Sequence, residues 1–205
     1  MYNQYGYKII ENAIEPEQYK ELKDYLNKVG WIFQTETSGW NRLKKEKEIN
    51  IHDSSFSHLI YHHREHITQN VMCLPFLDCI KKYFNVEKLL RIRAGLILPK
   101  ETELLHGPHI DYDEPHHTAL FYFCREEGSG YTYLYDERLD PYIYKNGGVQ
   151  ALKKHKEMKI VEKVEPEENR AVFFRGDVYH TSSTPKSIFK RIAVNVNFKG
   201  FPKEV

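Results

Sequence analysis

The stretch NRAVFFRGDVYHTSSTPKSIFKRIAVNVNF, residues 169–198, carries most of the fold in thirty residues. An apolar run at 171–174 meets a turn at Arg175-Gly176-Asp177, and His180 follows at the start of the next segment. Eleven residues after His180, Arg191 opens another strand, in which Arg191, Ala193, Asn195 and Asn197 point one way and Ile192, Val194 and Val196 the other. A cation and two amides on one face are costly to bury unless something anionic or polar lies opposite. The planar guanidinium matches a carboxylate, which it grips through two hydrogen bonds.

Short segments of the same texture recur upstream: LLRIRAGLIL (89–98), TALFYFC (118–124), YTYLY (131–135) and MKIVEKV (158–164). Turn signals separate them at GSG (128–130), NGG (146–148) and PEEN (166–169), and Asn146-Gly147 suits a tight hairpin. Further out, EPEQYKELKDYLNKV (15–29) sets Tyr19, Leu22, Leu26 and Val29 on one helical stripe, with Pro16 in the first turn and Gly30 past the end. PFLDCIKKYF (75–84) predicts a second helix with Phe76, Leu77, Ile80 and Phe84 on one face. Residues 31–72 read as a mixture of strand, loop and short helix. The expectation is a mainly β, α+β chain: one domain over 1–205, a helical and mixed part at about 1–87, and a jelly-roll core at about 88–200.

The chain holds 30 basic and 29 acidic residues, so no concentrated basic surface argues for a nucleic-acid partner. Forty per cent apolar residues mark a globular protein, and no run is long and apolar enough for a bilayer span. Cys73, Cys79 and Cys124 are widely spaced, without a CxxC pair, and read as reduced, buried thiols. A cytoplasmic protein is the expectation; oligomeric state is not legible.

The chemistry concentrates in LLHGPHIDYDEPHH, residues 104–117, with four histidines and two aspartates. On an extended backbone His109 and Asp111 face one way while Ile110 turns to the core. Imidazole plus carboxylate suits a first-row metal, and a distant histidine completes a facial triad that leaves the opposite face open; His180 is placed to supply it. Asp113 shares the face of His109 as well, and competes with Asp111. His106 precedes the Gly107-Pro108 bend, and His116 and His117 open the next strand. A rival motif, His62-x-x-Glu65-His66, has the spacing of inverted zinc peptidases if that segment is helical, but no third ligand is identifiable.

The segments HID (109–111), TALFYF followed by GSGYTYLYD, and ENRAVFF with the later His180, Arg191 and AVNVNF together resemble the iron(II)/2-oxoglutarate-dependent dioxygenases. The resemblance is to their small prolyl-hydroxylase-like kind with phage and marine microbial members, and it runs from about Arg91 to Phe198. It implies a double-stranded β-helix, an Fe(II) held by His109, Asp111 and His180, and the distal carboxylate of 2-oxoglutarate on Arg191. It also implies Tyr122 near the co-substrate, with Asn195 and Asn197 lining the same pocket, and the family's His-x-Asp spacing favours Asp111 over Asp113. The activity implied is hydroxylation of an unactivated C–H bond in a peptide, amino acid or small metabolite, with release of succinate and CO2. Two alternatives stay open: a non-enzymatic β-sandwich module that keeps the fold, and a cupin-like metalloenzyme that does not use 2-oxoglutarate. Tyr112, Tyr131 and Tyr133 are candidates for a substrate pocket, and residues 136–148 for a lid.

Overall fold

A computed structural model describes residues 1–35, 54–64, 67–68, 70–112, 114–139 and 158–203. Its centre is two antiparallel sheets laid face to face. The larger sheet has eight strands, and its order is set by long-range pairings. At its middle lies β11 (Arg191–Pro202), between β5 (Phe84–Ile97) and β6 (His117–Tyr122). Beyond β6 come β9 (Ala171–Arg175) and then β1 (Tyr7–Ile10); beyond β5 come β3 (Ser55–His62) and β2 (Ile32–Gln34), with the short β4 (Ile67–Thr68) paired to β3. The smaller sheet places β7 (Thr132–Arg138) between β8 (Ile160–Val164) and β10 (Val178–Ser182).

Strict alternation makes the larger sheet two-faced. Ile92, Ala94 and Leu96 of β5, Ala119 and Phe121 of β6, and Ile192, Val194 and Val196 of β11 are buried on one side. That side packs on α1 (Pro16–Lys28) and α2 (Asn70–Tyr83). Helix α1 presents Tyr19, Leu22 and Leu26, the stripe expected from its spacing, while Val29 caps its end in an extended conformation. Tyr19 stacks on Phe123 with centroids 4.9 Å apart and donates to the Tyr122 carbonyl at 3.3 Å, which pins the end of β6 to the helix. The opposite face of the sheet meets the smaller sheet through Tyr122, Val172, Phe174 and Ala193 against Leu134, Val164 and Val178. The result is a double-stranded β-helix buttressed by N-terminal helices.

Some boundaries differ from the sequence reading. Helix α2 begins at Asn70, not Pro75, so the proline lies inside it, and Phe84 is the first residue of β5 instead of the last of the helix. Pro75 removes one backbone donor from the helix, and the tertiary contacts of Cys73, Phe76 and Ile80 carry the helix past it. A division at residues 87 and 88 would cut through β5, and the N-terminal part contributes strands to the main sheet as well as helices. His62 closes β3, and His63 with Arg64 forms a turn, so the described part of the zinc-peptidase motif is not helical; Glu65 and His66 lie outside the described residues. So do Asp113, the Asn146-Gly147 turn and most of the expected lid. All three cysteines are buried and free. Among the described residues no helix is long and apolar enough to cross a membrane.

Candidate metal centre

The two histidines, 71 positions apart, meet through backbone pairing. His109 and His180 form an antiparallel bridge in which each amide donates to the other's carbonyl, at 2.9 and 3.0 Å. Such a pair directs both side chains to the same face, and the ring centroids lie 4.5 Å apart. The stretch from Leu105 to His109 thus runs beside β10, held also by a Leu105–Ser183 bridge. Two residues on, at a bend, Asp111 turns its carboxylate to the same point. Ligand atoms of His109, Asp111 and His180 all fall within 4.8 Å of one another. Ile110 points away, toward Tyr133, Tyr135 and Tyr179.

The donor set fits a divalent first-row metal. His109 Nδ1 lies 3.1 Å from the Gly107 carbonyl and His180 Nδ1 3.3 Å from the Val178 carbonyl. A carbonyl only accepts, so each Nδ1 carries the proton and each Nε2 is left with its lone pair for a metal. Burial pushes the His180 ring down to about 4, and burial lowers His109 as well, so both rings are neutral at pH 7. Burial alone would raise the Asp111 carboxyl. The His180 ring and Arg91 guanidinium beside it reverse that and hold it well below the usual carboxylate range.

Four side chains fix this carboxylate. Arg91 donates to Oδ1 at 3.0 Å, Thr118 and Asn197 donate to Oδ2 at 3.1 and 3.0 Å, and Asn195 Nδ2 lies 3.1 Å from both oxygens. Arg91 is itself fixed by donating to Asn197 Oδ1 at 3.1 Å. The two asparagines expected to line a co-substrate pocket therefore orient the metal ligand. Asn195 also borders the pocket next to the triad, and Asn197 does not. Arg91 and Thr118 were not anticipated, although Arg91 alternates along β5 as the asparagines do along β11.

A pocket of about 90 Å³ opens beside His109 and His180 and runs along the inner face of the larger sheet to Arg191. Arg191 is 4% exposed, donates from Nε to the Gly130 carbonyl at 2.7 Å and from Nη2 to Thr132 Oγ1 at 2.9 Å, and forms no ion pair among the described residues. Gly130 turns its carbonyl inward through a positive φ of 66°, which explains the glycine in the GSG turn. Tyr122 lies beneath the guanidinium, 5.5 Å from its ring centroid, and donates to Thr132 Oγ1 at 2.7 Å. Tyr122 thus braces Arg191. His106 is buried, with Nδ1 3.2 Å from Ser182 Oγ, and His117 joins Tyr2 to the Gly200 carbonyl; neither belongs to the triad. Tyr112 lies under Arg91, whereas Tyr131 and Tyr133 pack around Ile110, outside the pocket.

No family model and no curated protein matches the sequence. Solved structures do match in fold. A 2OG-Fe(II) oxygenase-family oxidoreductase from Burkholderia pseudomallei aligns over 98% of this chain and 90% of its own, with a TM-score of 0.59 and 10% identity. A prolyl hydroxylase from Trichoplax adhaerens, solved with a hypoxia-inducible-factor peptide fragment, aligns over 96% and 84%, with a TM-score of 0.58 and 14% identity. The epimerase SnoN of nogalamycin biosynthesis, solved with Fe3+ and alpha-ketoglutarate, aligns over 94% and 78%, with a TM-score of 0.60 and 13% identity. The chain thus shares its fold with these solved structures, and within that fold two histidines and one carboxylate, His109, His180 and Asp111, converge on one point.

Proposed function

We propose that the chain is an Fe(II)- and 2-oxoglutarate-dependent dioxygenase that hydroxylates an unactivated C–H bond of a peptide, amino acid or small metabolite. The observation that carries this reading is one pocket bordered at one end by the neutral His109–His180 pair, behind which Asp111 stands, and at the other by the buried guanidinium of Arg191, which forms no ion pair among the described residues. His109, Asp111 and His180 would hold the metal on one face. Arg191 would take the distal carboxylate of the keto acid, held in place by Gly130, Thr132 and Tyr122. When bound, iron(II) and 2-oxoglutarate supply the oxidising chemistry: O2 and the keto acid become succinate, CO2 and one oxygen atom for the substrate C–H bond. Arg191 is nearly withdrawn from solvent, so a low local dielectric would strengthen its interaction with a bound carboxylate. Three free buried thiols fit a reducing compartment, and we place the protein in the cytoplasm.

Oxygen-dependent succinate release from protein loaded with Fe(II) and 2-oxoglutarate tests the reading. Release that needs His109 and His180 supports it; folded protein that forms neither succinate nor CO2 sinks it. Activity indifferent to Arg191→Ala and to added keto acid would instead fit a cupin-like metalloenzyme. No effect of either histidine substitution on biological activity would fit a binding module. Because SnoN is named an epimerase, the product is also to be read: a product heavier by one oxygen supports hydroxylation, and an isomer of equal mass assigns a different outcome to the same site.

A further inference from the structure

A second arginine faces the same pocket, and the metal centre does not use it. On β5, Arg91 and Arg93 point to the inner face while Ile92 and Ala94 enter the core. Arg91 is committed to Asp111 and Asn197. Arg93 lines the pocket beside His109 and Asn195, yet its guanidinium makes no hydrogen bond and no ion pair among the described residues. A guanidinium has five donors, and those of the half-buried Arg93 are left for water or for a ligand that enters the pocket. Burial and the neighbouring Arg91 push it down to about 10, so it keeps its charge at neutral pH.

The pocket as a whole favours another anion. Among the described residues no aspartate or glutamate side chain lines it. Among the described residues around the site, three guanidiniums, those of Arg91, Arg93 and Arg191, stand against one carboxylate, that of Asp111. A dianionic keto acid would offset the excess and leave the metal's own charge uncompensated. Position separates Arg93 from the co-substrate. Arg191 and Asn195 lie on β11, roughly 13 Å apart at ~3.3 Å per residue, and the keto acid would run along that strand. Arg93 pairs with Asn195 from the neighbouring strand, on the side of β3, where Ser55, Ser57 and Gln34 complete a polar wall.

Resting on the oxygenase reading above, we propose that Arg93 recognises a carboxylate of the primary substrate, so that the molecule oxidised is a free acid, such as an amino acid with an unblocked carboxyl group, held with a C–H bond next to the metal. The carboxylate would receive two charge-assisted hydrogen bonds from Arg93, which fixes its orientation as well as its charge. A substrate with that group replaced by an amide would lose them and leave the guanidinium unpaired.

Protein loaded anaerobically with Fe(II) and saturating 2-oxoglutarate is titrated with L-amino acids and simple carboxylic acids, each beside its own amide. Perturbation of the visible iron–keto-acid band reports binding without turnover. At least one acid should bind roughly tenfold or more tightly than its amide. Arg93→Gln should abolish that preference, Arg93→Lys should recover part of it, and both should bind 2-oxoglutarate within about twofold of wild type, which also reports their folding. A rise of about tenfold or more in the 2-oxoglutarate Kd of Arg93→Gln overturns the proposal, because the carboxylate would then be the co-substrate's. So does a panel in which no acid outperforms its amide. Absence of the band in the wild-type protein overturns the oxygenase reading itself, a result distinct from either.

Discussion

Arg91, Arg93 and Arg191 stand on one inner face, and the cost of burying a cation among apolar neighbours bears on all three. Along RIAVNVNF the polar side chains alternate with branched apolar ones, and the cost of burying them marks a site. Along LLRIRAGLIL the same alternation places Arg91 and Arg93 opposite Ile92 and Ala94, but there the apolar residues on either side give it the look of an ordinary strand. The orientation of Asp111 by Arg91 and Thr118 depends on strand register, which a single sequence does not reveal. Arg91→Leu should therefore weaken metal binding about 10- to 100-fold, read by anaerobic Fe(II) or Co(II) titration, while leaving the two histidines in place. Arg191→Leu should raise the 2-oxoglutarate Kd about 10- to 100-fold and leave metal affinity nearly unchanged, a contrast that one pair of titrations resolves.

His117 gives a residue-scale pH effect away from the metal. Its Nε2–H donates to the Gly200 carbonyl at 3.2 Å, its Nδ1 accepts from Tyr2 at 2.9 Å, and burial pushes the ring down to about 4. An unfolded histidine titrates near 6.5, so between about 6.5 and 4 the unfolded chain binds the extra proton and stability falls as the pH drops. His117→Gln should shrink the loss of the urea midpoint between pH 7 and pH 5. An unchanged loss would assign the acid sensitivity to the other buried histidines.

Between residue and domain, the elements that matter most are the least regular ones. The C-terminal strands of the larger sheet, β5, β6, β9 and β11, were readable because apolar side chains dominate or alternate along them. The segment bearing His109 and Asp111 is no strand of the sheet; it is tied by isolated bridges to His180 of β10 and to Ser183 just past its end. The inner-face placement of the ligands, inferred from extended geometry, is delivered by that pairing. β3 was hidden because SFSHLIYH mixes histidine and serine with apolar residues, and only its neighbours β2 and β5 make it a strand. The approach to Arg191 depends on another irregular element. Glu126, 1% exposed, accepts from the amides of Lys186, Ser187 and Ile188 at 2.9–3.1 Å and so fixes the loop that leads into β11. Burial opposes its charge, and hydrogen bonds from Ser129, Ser187 and Lys186 nonetheless hold its carboxyl below the usual value. Glu126→Gln should cost about 1–3 kcal/mol in urea unfolding, by exchanging an acceptor oxygen for a donor that these amides cannot use.

Across the whole molecule, the site lies where two sheets that share few local contacts must be brought together. His109 and His180 come from the side of the smaller sheet, while Arg91, Asn195, Asn197 and Arg191 come from the larger. Ligands that bridge them should stabilise the folded state in proportion to ligand occupancy, by about 2.7 kcal/mol at a hundredfold excess over Kd, or a rise in Tm of roughly 5–10 °C. Scanning calorimetry with Fe(II) and 2-oxoglutarate under nitrogen should show the rise, and chelator should remove it. The helices, the sheet and the ligand triad were legible because each has a period or a spacing. The joining of the sheets was not, because it depends on pairings between residues far apart in the chain.

The most direct measurement is an anaerobic titration of the purified protein, first with Fe(II) and then with 2-oxoglutarate, followed in the visible spectrum. One iron per chain and a charge-transfer band that appears only with the keto acid are the predicted result, with His180→Ala folded but unable to give the band. No band in folded wild-type protein, or an equal band in His180→Ala, would contradict the account.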